Sequence, residues 1–129
     1  METFEKEITY FVAEYNPATE KVEEKSVTKS ATFKELSRLD KTQAKLHFKI
    51  MSLFEGLEKG SDEADNIGIS SDGLYDITVK AVNVLLLPND VFTDSDKKDF
   101  LQDSIALLQF GLFLFKEKFA PFFSQFNLG

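Results

Sequence analysis

The chain has 129 residues, no cysteine and a formal net charge of −7, and 43% of its residues are hydrophobic. This length favours a single domain, and the apolar content is too high for a wholly disordered chain. The lack of cysteine excludes disulfides, thiol catalysis and thiolate zinc sites, and the negative charge disfavours nucleic acid and anionic membranes as partners.

The N-terminal part of the chain alternates between apolar and polar residues. Every second residue from Ile8 to Val12 would share one face of a strand, and an Asn-Pro pair that follows marks a turn. The pattern predicts a β-hairpin with strands over 5–15 and 20–30, within an arm of residues 1–31. A hairpin alone is marginal in water, so we expect it to pack on helices or on another chain.

Residues 32–129 are predicted to form a helical body, which two capping signals begin. The four residues from Thr32 and the four from Asp40 each have the spacing of a capping box. The first predicts a short helix over 33–39, and the second predicts a longer helix over 41–59. The longer helix carries an apolar stripe made of Leu46, Ile50, Leu53, Phe54 and Leu57.

An acidic loop over 60–72, which begins at Gly60, separates this helix from the next apolar segment. A helix is predicted over 73–87, ending before Pro88, although its β-branched residues make a strand the alternative. A short helical turn that continues toward Phe100 is expected next, capped by Thr93, Asp94 or Ser95.

The last long helix is predicted over 103–119, with Asp103 or Ser104 as its cap and a short turn after Pro121. The run from Ile105 to Phe115 is apolar except for a glutamine and a glycine, so the helix is apolar on nearly every side. It is too short to cross a bilayer. It must be central to the fold or covered by another chain.

Eight of the fourteen phenylalanines lie in the last thirty residues. We expect Phe110, Phe113 and Leu114 to belong to the core. A chain terminus frays unless it is docked, and exposed phenylalanines there would form a large apolar patch. The residues predicted to bind another protein are Phe119, Phe122, Phe123, Phe126 and Leu128.

The sequence contains only incomplete patterns for a metal-binding or catalytic site. Asp94, Asp96 and Asp99 are spaced as possible cation ligands but lack the glycine and glutamate of an EF-hand loop, so helix capping is favoured. Asp62, Glu63 and Asp65 are best explained as a solvated loop. The single histidine, His47, has no nucleophile or further metal ligand beside it. Pairing of Glu35, Glu55 or Glu58 as acid and base is not required by any pattern.

Charge is distributed unevenly along the chain. Residues 61–99 hold nine acidic residues against three lysines, whereas residues 31–60 hold six basic residues against four acidic ones. This asymmetry would allow one face of a copy to meet a different face of the next, although two differently solvated surfaces also explain it.

Two short segments resemble phage tail assembly chaperones. The first is the Phe-Lys-Glu-Leu-Ser stretch that starts at Phe33, and the second is the acidic turn from Val91 to Asp96 that precedes an apolar helix. The resemblance implies a non-enzymatic factor of the host cytoplasm without catalytic residues or cofactor. Such proteins coat the hydrophobic, helical tape-measure protein before the tail tube polymerises, and they often form multimers.

The sequence therefore predicts an α+β domain of three or four helices with a small N-terminal hairpin. Its predicted function is protein binding as a homo-oligomer, and its acidic start favours a soluble protein that stays in the cytoplasm. The alternative is a helical carrier that encloses an apolar ligand in a phenylalanine-lined cavity of several hundred Å³. A hydrolytic or metal-dependent enzyme is a third possibility.

Overall fold

The computed structural model describes residues 2–59 and 71–126, with the backbone alone at 56–59 and 71. It has an N-terminal antiparallel hairpin followed by helices, which confirms the predicted fold class. The strands are β1 (Thr3–Asn16) and β2 (Lys21–Lys34). The helices are α1 (Ala44–Lys59), α2 (Ser71–Leu85), α3 (Asp94–Leu101), α4 (Ser104–Leu114) and α5 (Ala120–Ser124), with a 3₁₀ turn at Lys41–Gln43 and a π-helical turn at Phe115–Phe119.

The hairpin is longer than predicted, because pairing continues from Thr3 opposite Lys34 to Asn16 opposite Lys21. Alternate residues of β1 face the helices, and Ile8 and Tyr10 are buried as the periodicity predicts. Beyond Val12 the β1 side chains up to Tyr15 are exposed on both faces. The far end of the hairpin therefore projects from the helical body.

The predicted short helix over 33–39 is wrong, and the hairpin extends past the predicted boundary at residue 31. Phe33 lies in β2, is buried, and packs its ring 5.3 Å from Phe4 and 5.0 Å from Phe110. The Thr32 hydroxyl accepts a hydrogen bond from the Asn89 side chain rather than capping a helix. Strand pairing and burial of Phe33 thus override the local capping signal.

The second capping signal is correct, with a variation. The Asp40 carboxylate accepts from the Thr42 backbone N–H at 3.0 Å, and α1 follows the 3₁₀ turn. The buried Gln43 side chain instead binds the preceding loop: it accepts from the Ser37 N–H and donates to the Glu35 carbonyl. The cap and the end of the hairpin are therefore fixed to each other.

The segment predicted as a helix over 73–87 is a helix and not the alternative strand, and it begins two residues earlier than predicted, at Ser71. It ends at Leu85, two residues earlier than expected, because Leu86 forms an antiparallel bridge with Phe33. The Leu87 N–H donates to the Thr32 carbonyl at 2.9 Å. The predicted Gly60 terminus and residues 60–70 of the loop predicted over 60–72 lie outside the described residues.

Helix α4 is central to the core. Phe110 and Leu114 are buried and Phe113 is partly buried, as expected, and the core includes residues of both the hairpin and the helices. Asp103 caps α4 by accepting from two backbone N–H groups. Gly111 lets α4 approach α2 closely, since a Cβ there would overlap the Thr78 hydroxyl.

The helix widens between α4 and α5 just before Pro121. Proline cannot donate the bond to the carbonyl four residues back, and its ring crowds that carbonyl. The Ala120 N–H bonds the Phe115 carbonyl, five residues back, so a π-helical turn absorbs the proline and the helix continues.

The close contact at Gly111 predicts that Gly111→Ala is destabilising although alanine favours helices. We expect the free energy of unfolding to fall by about 1–3 kcal/mol, because the new methyl group overpacks the α2–α4 contact. Urea denaturation monitored by circular dichroism measures this change. Thr78→Ala in the same chain should recover part of the loss, whereas Gln109→Ala, on the exposed side of α4, should change stability by less than about 0.5 kcal/mol. Equal stability of Gly111→Ala and the parent would contradict the close approach.

Candidate functional site

The C-terminal phenylalanine stripe is covered by α1 of the same chain. The Phe54 ring lies 5.3 Å from Phe115 and 5.8 Å from Phe123, and the His47 ring lies 5.4 Å from Phe122. Leu46 and Ile50 of the α1 stripe are buried as well. The two apolar stripes recognised in the sequence therefore face each other within one molecule.

Two of the five predicted partner-binding residues are buried by this packing, and partner binding by the other three stays a prediction. Phe119 is 0% exposed and Phe123 is 3% exposed, so neither ring lies on the surface. Phe122 and Phe126 are partly exposed, and the Arg38 guanidinium lies over the Phe126 ring at 5.3 Å. Leu128 lies outside the described residues. The sequence predicts an undocked terminus because no local pattern in it indicates that α1 packs against these phenylalanines.

Helix α4 carries an exposed apolar stripe. Ile105 is 68% exposed, Leu108 43% and Leu112 44%. At spacings of three and four residues these side chains form one stripe along the helix, on the side opposite the buried Phe110. We call these three residues the outer α4 face.

The hairpin continues this surface at the start of α4. One oxygen of Asp103 caps the helix, and the other accepts from the Phe11 backbone N–H at 2.9 Å. Phe11 is 50% exposed and lines a shallow groove together with Ile105 and Gln102. Asp103 therefore fixes the position of the strand relative to the apolar stripe.

Asp96, one of the three candidate cation ligands, is committed to internal contacts. Its carboxylate accepts from the Tyr10 hydroxyl at 2.7 Å, from both the backbone and the hydroxyl of Thr93, and from the Lys29 ammonium at 3.0 Å. Together with Thr93 it forms a capping box at the start of α3. Thr93 is thus the one of the three expected residues that caps α3, and the cluster joins the hairpin to α3.

Burial alone would raise the pKa of Asp96, but the hydrogen bonds from Tyr10, Thr93 and Lys29 outweigh it and hold that pKa well below its ordinary value. Burial raises the pKa of Tyr10, and the hydrogen bond to Asp96 raises it further. Tyr10 therefore stays a donor and Asp96 stays ionised. A protonated Tyr10 and an ionised Asp96 are the states that their hydrogen bond between the hairpin and α3 requires.

Those of the remaining candidates that the structure describes do not come together in a reactive site. Glu35 forms an ion pair with Lys118 at 2.6 Å, and Glu55 is exposed. The Asp62, Glu63 and Asp65 group and the Glu58 side chain lie outside the described residues. Among the side chains that the structure does describe, no group of three histidines or acidic residues is placed to hold a metal ion.

The aromatic core leaves a groove between β1 and α4, with Phe100, Phe110 and Phe113 in its lining. Its volume is about 170 Å³. Pockets for small molecules usually measure about 300–1,000 Å³. The groove therefore gives no support to the carrier interpretation.

Comparison with known proteins adds no identification. No family model matches the chain, and neither the curated proteins nor the solved structures contain a significant match. The resemblance to phage tail assembly chaperones therefore stays a prediction. In the described parts of the chain, no helix is both long enough and apolar enough to cross a membrane.

The contacts of Asp96 predict that even a substitution of nearly the same size at this position strongly lowers the free energy of unfolding. Asp96→Asn should lower the free energy of unfolding by about 2–3 kcal/mol, because it removes the charge that the Lys29 and Tyr10 donors stabilise. Denaturant unfolding at neutral pH measures the loss. The matched control is Asp94→Asn, whose side chain is exposed and should change stability by about 0.5 kcal/mol or less. Since the folded pKa of Asp96 is lowered, its stabilising effect should be present above about pH 4 and lost as the pH falls further.

The burial of His47 predicts that the free energy of unfolding also depends on pH near neutrality, well above the range in which Asp96 titrates. Burial lowers its pKa, with Asp40 opposing the shift, so the folded protein favours neutral imidazole beside Phe122. The free energy of unfolding should decrease as the pH falls below about 6.5, where the unfolded histidine takes up a proton first. His47→Gln should remove this slope between about pH 5.5 and 7.5. An unchanged slope in the variant would show that His47 does not titrate differently on folding.

Proposed function

We propose that this chain is a non-enzymatic protein-binding factor of the phage tail assembly chaperone type. It binds the hydrophobic, helical tape-measure protein in the host cytoplasm before the tail tube polymerises, and it associates with further copies of itself. The observation that carries the proposal is the outer α4 face, an exposed apolar stripe on the most apolar of the described long helices.

The spacing of this stripe suits a helical client. Residues at intervals of three and four on one helix pack against an amphipathic helix through the same intervals on the partner. Since tape-measure proteins are long, helical and apolar, the client would present many such segments. A stripe of aliphatic side chains without a polar anchor favours binding by shape and burial over binding of one defined sequence.

The support behind the stripe is rigid. Phe110 and Leu114 anchor the opposite side of α4 in the core, and Asp103 joins its first turn to β1. A preformed face loses little conformational entropy on binding. The net charge of −7 would keep the unloaded protein soluble despite the exposed leucines.

The test replaces two leucines of the outer α4 face. Leu108→Glu combined with Leu112→Glu should weaken binding at least tenfold, because apolar area worth about 1 kcal/mol or more per leucine is lost and charge is buried instead. The probe is a labelled synthetic peptide that forms an uncharged amphipathic helix with leucine on one face. Fluorescence anisotropy measures its Kd.

The matched control is Leu39→Glu combined with Val91→Glu, which adds the same charge at two exposed positions away from α4. The control should bind like the parent. Absence of binding by the parent chain, or equal binding by both double variants, would overturn the proposal. Circular dichroism confirms that each variant retains its helices.

A further inference from the structure

Helix α1 presents a basic face with an aromatic ring at its centre. Phe48 is 69% exposed, and Lys45 and Lys49, three residues before it and one after it, are exposed as well. This is an unusual feature in a chain of net charge −7. The ion pairs found among the described residues involve neither lysine.

Helix α2 presents the opposite charge around the same arrangement. Tyr75 is 48% exposed, and Asp72 and Asp76 are exposed three residues before it and one after it. Those ion pairs involve neither aspartate either. The two helices thus carry an aromatic ring with charges at identical spacing and of opposite sign.

We infer that the basic face of α1 in one copy docks on the acidic face of α2 in a second copy of this chain. The inference deepens the proposed function, because it rests on self-association and names the two surfaces that perform it. It uses neither the outer α4 face nor the C-terminal phenylalanines. Self-association and client binding can therefore fail separately.

The positions of the charges also set the direction of the contact. On an α-helix, a residue three before the ring and a residue one after it lie about 60° and 100° around the axis, on the same side of the ring. On both helices the two charges therefore lie on the same flank of the ring. When two helices pack ring to ring, these charged flanks face each other only if the helices are antiparallel, just as like flank positions face each other in antiparallel coiled coils. Phe48 would then stack near Tyr75, with Lys45 beside Asp76 and Lys49 beside Asp72.

The two rings supply apolar burial, and the charges select the partner face. Exposed ion pairs contribute little individually, so the charges act mainly by making the wrong pairing repulsive. Contact between two α1 faces would oppose lysines, and contact between two α2 faces would oppose aspartates. The arrangement therefore favours α1 against α2.

Charge reversal with mixing tests the inference. Lys45→Glu/Lys49→Glu and Asp72→Lys/Asp76→Lys should each reduce self-association at least tenfold when measured alone by sedimentation velocity over a concentration series. An equimolar mixture of the two variants should associate again, because each reversed face finds a complementary one. The control is Lys97→Glu/Lys98→Glu, which makes the same charge change on α3 and should associate like the parent.

Three results would overturn the inference: a parent chain that stays monomeric at high concentration, variants that associate like the parent, or a mixture that fails to recover. The peptide-binding assay separates this result from the proposed function. A charge-reversed variant that still binds the helical peptide leaves client binding intact while self-association through these faces is lost. A variant of the outer α4 face that loses peptide binding but self-associates normally would show the converse, that client binding is lost while association through α1 and α2 is intact.

Discussion

The structure depends on the junction where Asp96 receives donors from the hairpin. A two-stranded hairpin is only marginally stable by itself, and here its inner face must be held on helices that come much later in the sequence. Tyr10 and Lys29, one from each strand, meet the same carboxylate, which also begins α3. Desolvating that carboxylate is unfavourable, and only the full set of donors offsets the cost. The junction therefore joins both strands of the hairpin to the start of α3.

Once the hairpin is docked, it organises the helices behind it. Phe33 brings Phe4 and Phe110 into one aromatic cluster, and its backbone bridges to Leu86. The strand end thus decides where α2 stops and where α4 packs. With α4 held on one side, its opposite side has no covering element in the described structure, and that is the outer α4 face.

Local signals in the sequence predict the parts of this fold that depend on neighbouring residues. Period-two alternation predicts the hairpin, and the capping signal at Asp40 predicts the start of a helix correctly. The caps that form at Thr93 and Asp103 are each among the alternatives that the sequence offers there. The signal at Thr32 fails because its outcome depends on distant residues: Phe33 finds aromatic partners near both ends of the chain. The same limit applies to Phe119 and Phe123 near the C-terminus, whose burial the sequence does not indicate. The α1 stripe and the phenylalanine stripe are each visible in the sequence, but their mutual burial is a tertiary fact. Exposure of Ile105 could have been inferred only by knowing which side of an all-apolar helix meets the core.

The projecting end of the hairpin has a practical consequence. Its turn lies beyond the last buried residues of β1, and side chains on both of its faces are exposed. Extra residues at such a position disturb neither core packing nor the docked half of the strands. An epitope or a fluorescent label inserted after Pro17 would therefore report on the location and assembly of the protein in cells while leaving α1, α2 and α4 unobstructed.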